Sequence, residues 1–558
     1  MNRFYRLSAF GYFPKEIPPV FWTGQFAAAV GRVRASLPGR LSNKWSKPTP
    51  YLLQQRARYR RPLALPNPNA FCAVAHLIAT EYSAIQTHFA RSAFSLSSPK
   101  FNRKTKFFRA VGPNLTGDNL RRRKLDLRAS YPFIVQFDAK NFYRSIYTHS
   151  IEWAHVGRAA AKARLRTRAP GGWGKGLDDA LRIGQDGQTI GIPVGPDSSF
   201  IIGEVLLTAI DQQLAFAPTQ ALRFYDDYEI GASSEGEAER ILERAESIFS
   251  DLELELNPDK SRVISNAEHL DTTWKLHIKL ATKERPRRPE DLIDLFALAC
   301  SLARQNPEDF VLGYFLRRMR MFVFHQSLWE TWQEVLMATT FAEFGALRTI
   351  YEQLDLYERI GYAINKARLT ASLTAKLERE LRGSISSELS WVLFGFLKFR
   401  IPLEIEAIHR VIDRGDDISR ILAMKIAVNQ RRGIKRNVGS LLSKIGPVDP
   451  LSEHWLLFWE IYRNEWSSDR TLRATLMQEP IFQILDNDSV SFLRDLEVDL
   501  LEIPAPFKDQ IEHLHGAGAT TRLEAEIQRT FASAAGSVAD EEEEIDDEAE
   551  EEEEESLY

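Results

Sequence analysis

A chain of 558 residues, 44% apolar and 27% charged, is long enough for roughly two to four domains with substantial cores. Its two cysteines, Cys72 and Cys300, lie far apart without ligand-like spacing, so they support neither a disulfide framework nor a cysteine zinc site, and a reducing cytoplasm fits them best. No apolar stretch reaches the ~20 residues that cross a bilayer, and the first residues lack an uninterrupted apolar run before a cleavage-like site, which argues against a membrane protein.

The formal charge of -4 averages two unlike parts. Asp540 to Glu555 holds 14 acidic side chains and no basic one, so residues 1–539 carry about +10. Such a tail repels itself, has little apolar to bury, and is expected to be disordered. Residues 1–128 contain 23 Lys or Arg against 4 Asp or Glu, a density that calls for a facing anion, with nucleic acid the leading candidate.

Residues 1–50 are aromatic, and Pro14, Pro18, Pro19, Pro48 and Pro50 limit regular structure there, which suggests an arm lying over the rest. A basic run from Arg56 to Arg61 passes into Arg61-Pro62-Leu63-Ala64-Leu65-Pro66, read as a short extended segment. Helical spacing predicts a helix over Phe71 to Phe89. Lys100 to Arg128, with Arg103, Lys104, Lys106, Arg109 and Arg121 to Lys124, reads as a basic loop or ribbon. Tyr131 to Phe137 is a β-prone run that ends on Asp138, and a carboxylate at a strand end is held rigidly, as a metal ligand must be. Asn141 onward reads as a turn into a helix through Trp153. Ala159 to Gln188 reads as a flexible insertion. Its Gly171-Gly172-Trp173-Gly174-Lys175-Gly176 only superficially resembles a phosphate-cradling loop, lacking the strand before and helix after.

Gly191 to Pro196 is rich in turn residues and leads into a helix over Ser198 to Ala215. Ala221 to Ile230 has the form of a β-hairpin with Asp226-Asp227 in its middle. A helix follows over Glu237 to Leu252, and Leu254 to Val263 returns the chain past an Asn257-Pro258 turn to Lys260. Beyond residue 285 helical periodicity dominates to about Tyr462: Leu292 to Ala303, Asp309 to Phe324, Leu328 to Phe344, Leu347 to Ala367, Thr370 to Leu381 and Ser384 to Phe399 resemble stacked helix pairs.

Phosphoryl transfer from a nucleoside triphosphate to a 3′ hydroxyl uses divalent metal at the attacking and leaving oxygens, and Asp oxygens suit Mg²⁺. Asp138 and Asp226-Asp227 are separated by 87 residues. Adjacent aspartates in an apolar hairpin face opposite ways, and a buried unpaired charge costs several kcal/mol. Metal binding removes that objection.

Read in order, four segments resemble the palm motifs of reverse transcriptases. Phe137-Asp138-Ala139-Lys140-Asn141-Phe142-Tyr143-Arg144-Ser145-Ile146 resembles the first, Gly191-Ile192-Pro193-Val194-Gly195-Pro196-Asp197-Ser198-Ser199 the second, Phe224-Tyr225-Asp226-Asp227 the third, and Leu254-Glu255-Leu256-Asn257-Pro258-Asp259-Lys260-Ser261 the fourth. The wording of Gly184 to Ser199 and of Tyr147 to Ala154 is similar to bacterial reverse transcriptases of the abortive-infection and phage-defence groups, whose large helical C-terminal part this chain also resembles. Two departures stand out. Phe224 replaces a commoner Tyr, and Val194 replaces the usual glutamine of the second motif, which bears on template handling.

The resemblance implies an α+β right-hand polymerase fold of fingers, palm and thumb, an α-helical C-terminal domain of stacked helices, and the disordered acidic tail. Residues 1–55 would be an N-terminal arm, 56–285 fingers and palm, 286–535 the thumb side and helical domain, and 536–558 the tail. It further implies Asp138, Asp226 and Asp227 as ligands of Mg²⁺, with Mn²⁺ as an alternative, and Lys260 as the group that neutralises or protonates pyrophosphate. Tyr143 would be a steric gate that selects dNTPs. Arg61 would contact the triphosphate, and Gly195, Pro196 and Ser198 would form the turn against template and nucleotide.

The implied activity is RNA-directed or template-independent DNA synthesis in antiphage defence, with single-stranded DNA or RNA as partner. A covalent protein–DNA product through a Tyr or Ser, with Tyr462 and Tyr558 eligible, and a homo-oligomer belong to the same expectation. The alternatives are a retron or intron-type templated enzyme, or a catalytically inert nucleic-acid-binding scaffold. Tyr143 speaks against an RNA-directed RNA polymerase.

Overall fold

The structure, a computed structural model, describes residues 2–55, 59–102, 109–115, 117–167, 170–265, 272–383, 386–494, 503 and 505–525. Arg103, Lys104 and Lys106 of the basic ribbon, and the acidic tail with Tyr558, lie outside the described residues.

Strands β1 (Thr49–Gln54) and β2 (Arg60–Leu65) pair antiparallel, with Leu53 opposite Arg61. The expected basic ribbon is present as the two-residue strands β3 (Lys100–Phe101) and β4 (Val111–Gly112). The central sheet contains β5 (Phe133–Phe137), β6 (Ala221–Phe224), β7 (Asp227–Ala232) and β8 (Arg262–Ser265), in the antiparallel order β6-β7-β5-β8. β5 alternates between two apolar layers. Val135 and Phe137 enter the main core, whereas Ile134 joins a smaller cluster with Leu127, Leu222 and Ile264. The helices Asp197–Leu214 and Glu235–Asp251 cover the first face, and Gly117–Ser130 lies against β6 and β7 on the second.

Three stretches depart from the sequence expectations. Residues 117–128, read as part of a basic loop or ribbon, lie in a helix, Gly117–Ser130, because Leu127 near its end finds an apolar partner layer on the sheet. The supposed flexible insertion holds two helices, Arg158–Thr167 and Trp173–Ile183. In the second, Trp173, Leu177, Ala180 and Leu181 are buried at helical spacing against the helix Pro68–Phe89, and that burial outweighs the helix penalty of its glycines. The first 50 residues, expected to have little regular structure, form the helices Arg3–Phe10 and Gly24–Arg32 and contribute Phe4, Leu7, Tyr12 and Phe26 to the core.

Beyond the sheet, the helices Pro289–Gln305, Val311–Met319, Gln326–Ala342, Leu347–Arg359, Lys366–Arg382, Ser387–Lys398, Ile405–Arg414 and Asp417–Asn429 follow the predicted periodicity. Each meets the next but one, and most also meet the next, which makes a two-layer stack of helix pairs. The single helix expected over Leu347 to Ala367 ends at Arg359, and a new one starts at Lys366 under an Asn365 cap that accepts from the Arg368 amide at 3.1 Å.

The N-terminal segment and the helical part meet at Tyr12. Its fully buried ring stacks on Phe71 at 4.0 Å and lies parallel to Trp455 at 6.4 Å, with Phe492 edge-on at 6.3 Å. Its hydroxyl donates to the Pro66 carbonyl at 2.7 Å. Truncation to alanine opens a ring-sized cavity between elements more than 400 residues apart in sequence. Tyr12→Ala is expected to cost about 3–5 kcal/mol, and Tyr12→Phe much less, read as the loss of thermal stability in paired melts.

Candidate active site

Asp138 directly follows β5, and the register of β5 with β7, Phe137 opposite Tyr228, brings it level with the hairpin end. Phe137 and Tyr228 stack at 4.7 Å and lock that register. β6 and β7 are joined by Tyr225-Asp226, with Phe224 opposite Asp227. Tyr225 has φ +55°, a left-handed conformation that costs free energy for a bulky residue and persists only where its surroundings enforce it.

The enforcement is visible on both sides of the Tyr225 peptide. Its N–H donates to Ser97 Oγ at 2.6 Å, and its carbonyl accepts from Arg223 Nη1 at 2.9 Å. Arg223 is fully buried, with Nη2 at 2.8 Å from Glu204 Oε1 and 2.7 Å from Asp211 Oδ2. Tyr228, Ser92 and Ser95 donate to the same carboxylates at 2.9, 2.6 and 2.7 Å. Desolvation works against the guanidinium charge, but Asp211 and Glu204 outweigh it and hold the pKa well above its ordinary value. Sequence reading passed over this network. Glu204 and Asp211 at i and i+7 inside an otherwise apolar helix were the available signal.

Asp138 is buried, and its Oδ2 accepts from Lys260 Nζ at 2.6 Å. Lys260 also lies 3.9 Å from Asp227 Oδ1. Desolvation opposes the Lys260 charge, yet the hydrogen bond to Asp138 and the charges of Asp227, Asp138 and Asp226 raise its pKa. The Asp226 carboxyl is pushed up to about 7, by burial first, then by Asp227 and Asp138. Asp227 is pushed in the same direction by desolvation and by Asp138, with Lys260 opposing, but its side chain is 68% exposed and water screens much of that effect.

Three carboxylates therefore sit close enough to repel one another, with one ammonium among them. Among the described residues, no three His, Cys, Asp or Glu side chains form a ready metal cluster. The donors nevertheless fit a divalent cation. Asp138 Oδ1 is buried without a hydrogen-bond donor, all the candidate donors are hard oxygens, and Lys260 supplies here the positive charge that they require.

The other predicted residues divide. Tyr143 joins the site: it lines a small cleft with Phe142, Phe200, Gly203, Tyr225 and Asp226. Burial and the Asp226 charge raise its phenol pKa, and Arg61 acts on it in the opposite direction, so Arg61 of β2 lies within electrostatic reach of the cleft. A side chain at Gly203 would come within 2.9 Å of Phe142 and 3.2 Å of Tyr143, so this glycine gives both rings their places. Gly195 has φ +127°, and a Cβ there would meet Pro14 at 2.5 Å, so the second-motif turn is covered by the N-terminal segment. Pro196 and Ser198 are buried beneath that turn at the start of the helix. Asp197 anchors it: Oδ2 accepts from the Ala110 and Val111 amides at 2.7 and 3.2 Å, and Arg109 pairs with Oδ1. Tyr462, an eligible priming residue, donates to Asp486 at 2.6 Å, in the helical part.

No protein-family model and no curated protein matches the chain. Among solved structures it is similar to apo telomerase from Candida Tropicalis, at 11% identity and a TM-score of 0.30 over 77% of each chain. A likeness that loose assigns no residue, and the site stands on its own geometry. No helix among the described residues is long and apolar enough to cross a membrane.

Because the folded Asp226 carboxyl is raised to about 7, its contribution to stability is full in acid and lost as pH rises through 7. Without divalent cations Asp226→Asn should melt with the parent near pH 4 and above it at pH 8. Mg²⁺ should stabilise the parent at pH 8 and the variant much less. Thermal melts across pH with EDTA or Mg²⁺ check this; identical parent and variant curves throughout would disprove the coupling.

Proposed function

We propose that this chain is a divalent-metal-dependent nucleotidyltransferase that polymerises deoxynucleotides, with a palm of the reverse-transcriptase kind. The observation that carries the reading is the meeting of Asp138 with Asp226-Asp227 at one end of the central sheet, although 87 residues separate them in sequence. A fold that used these positions only for stability would gain by losing the mutual repulsion. The order and wording of the four motifs, stated above as a resemblance, point the same way.

Asp138, Asp226 and Asp227 would hold Mg²⁺ or Mn²⁺. When bound, such a cation supplies Lewis-acid stabilisation of the oxygens that attack and leave phosphorus. The chain's own groups do the rest. The register of β5 on β7 holds Asp138 beside the hairpin, and the Arg223 network holds the hairpin turn, so the carboxylates do not have to reorganise during reaction. Lys260, kept charged by its acidic neighbours, is suited to neutralise or protonate a departing pyrophosphate. Tyr143, fixed against Gly203 beside Asp226, would be the ring beneath the sugar and would disfavour a 2′ hydroxyl. Arg61 is the candidate for a triphosphate oxygen.

Coverage of Gly195 by Pro14 favours synthesis without a conventional template over templated copying, because the turn that would face a template is occupied by the chain itself. A setting in phage defence, and priming from a protein hydroxyl, rest on the wording of the motifs alone.

Purified protein is to be assayed for dNTP incorporation with and without template and primer, with mass spectrometry for covalently attached DNA. Asp138→Asn and Asp226→Asn should each lower incorporation on the order of 10³-fold while the fold is retained. Tyr143→Ala should lower the preference for dNTPs over NTPs by roughly 10-fold or more. Parental incorporation by the aspartate variants would remove the reading.

A further inference from the structure

Between Asp417 and Asp449 the chain runs 31 residues without an acidic side chain and carries seven basic ones, Arg420, Lys425, Arg431, Arg432, Lys435, Arg436 and Lys444. Three of these have partners. Arg420 pairs with Asp417, Lys444 pairs with Asp413, and the charge of Lys425 acts on the buried Glu460. The other four stand together at the turn between the helix Asp417–Asn429 and the helix Lys435–Ile445. All four side chains are exposed, and none makes a hydrogen bond or ion pair with a described residue. The carboxylates on the flanking turns, Glu404 and Glu465, form no ion pair with them either.

Helix direction sharpens the imbalance. Arg431 and Arg432 follow the C-terminal end of their helix, where the dipole favours cations. Lys435 and Arg436 are at the opposite kind of end. They occupy the first turn of Lys435–Ile445, which holds no acidic residue, and the preceding Ile434 offers no side-chain cap to its open amides. Two cations therefore face the positive pole of a helix, an arrangement that is unfavourable until an anion lies against it.

Consecutive helices of the stack are joined by short turns and run antiparallel, so the turns at 360–365, 399–404 and 430–434 share one end. The Gln430 side-chain amide ties two of them together, donating to the Leu403 carbonyl at 2.9 Å and accepting from its N–H at 2.8 Å. At the same end the helix Ala505–His515 packs on the last turn of Leu347–Arg359. Phe507 lies edge-on to Tyr357 at 5.2 Å, and His515 Nε2 donates to the Arg359 carbonyl at 3.0 Å. The opposite end meets the strands, through Asn67 to the Pro450 carbonyl at 2.8 Å and Thr49 to the Glu453 carbonyl at 2.6 Å. The described C-terminal segment ends at Ala525, with 14 residues between it and Asp540.

We propose that Arg431, Arg432, Lys435 and Arg436 form a docking site for the chain's own acidic tail, residues 540–555. The complementarity is one of charge: 14 carboxylates and no cation on one side, four cations without a carboxylate on the other. Reach permits it, since the intervening residues extend to roughly 50 Å at most, and helices two steps apart along one layer of the stack are about 20 Å apart. Tethering holds the tail near its site at an effective concentration on the order of mM. Positive charge in the N-terminal region is in part already met, with Lys44 on Glu479 at 2.7 Å and Arg32 on Asp488. A nucleic acid at the candidate active site has no need to pass here, because the strands meet the other end of the stack. The inference goes beyond the proposed function and does not depend on it.

The full chain at low salt is to be treated with a carbodiimide, which joins an amine to a carboxylate in contact with it, and digested for peptide mass spectrometry; this arm needs no variant. Lys435 should be linked to residues 540–555, within one chain when isotopically light and heavy copies are mixed, and the link should vanish at about 0.5 M salt. A fluorescein-labelled peptide of residues 540–555, followed by anisotropy, should bind a full-length chain with Asp→Asn and Glu→Gln changes from Asp540 to Glu555 more tightly than it binds the parent, whose own tail holds the site. Adding Arg431→Gln, Arg432→Gln, Lys435→Gln and Arg436→Gln to that chain should weaken the peptide roughly 10-fold or more. The same four changes relieve the first turn of Lys435–Ile445 and should not lower the melting temperature. Absence of the Lys435 link, links only between copies, or peptide affinity unmoved by the four substitutions would overturn the site. So would oligothymidylate that binds through the same four residues and resists displacement by the peptide, which would give the patch to nucleic acid.

Discussion

The arrangement of the candidate active site depends on a guanidinium sealed from water. Arg223 lies on β6, two residues before the hairpin turn, and neutralises Glu204 and Asp211 from the helix behind the sheet while bonding the Tyr225 carbonyl. A buried ion pair of this kind contributes little net stability compared with apolar packing. Its value here is positional: it ties helix, strand and turn at one point. The positive φ of Tyr225 is the strain that this network holds.

Held in this way, the hairpin presents two carboxylates to a third, and electrostatics then sets the behaviour of the site. Asp138 binds Lys260 through one oxygen and leaves the other buried without a donor. Asp226 responds to its neighbours by holding its proton up to about pH 7. A single ammonium among three carboxylates leaves excess negative charge, which a divalent cation would relieve. The arrangement is therefore costly to keep in the absence of a ligand and suited to a task that needs one.

The N-terminal segment connects this centre to the rest of the molecule. Tyr12 anchors it among Phe71, Trp455 and Phe492, Pro14 seats on Gly195, and the Lys15 carbonyl accepts from Arg348. Within four residues the same segment closes the second-motif turn and joins the sheet to the helical stack. Its proline content marks an irregular path, and sequence reasoning took irregularity for peripheral position. The aromatic residues between the prolines were the contrary signal, since Phe4, Tyr12 and Phe26 have core-sized apolar surface.

Local pattern determined much of this protein by itself. Apolar, β-prone runs made β5 and the hairpin legible, the 3.6-residue period marked the stacked helices, and four ordered motifs singled out Asp138, Asp226, Asp227 and Lys260, because each of these signals is written within a few consecutive residues. The tertiary structure decided what depends on distant partners. It brought Glu204 and Asp211 to Arg223, buried Pro196 and Ser198 rather than exposing them, made helices of residues 117–130 and 173–183, and seated Pro14 on Gly195. Whether a charge is paired, or a glycine-containing stretch finds a surface to bury against, is settled by free energy gained across contacts from hundreds of residues away, and no window along the chain contains that term.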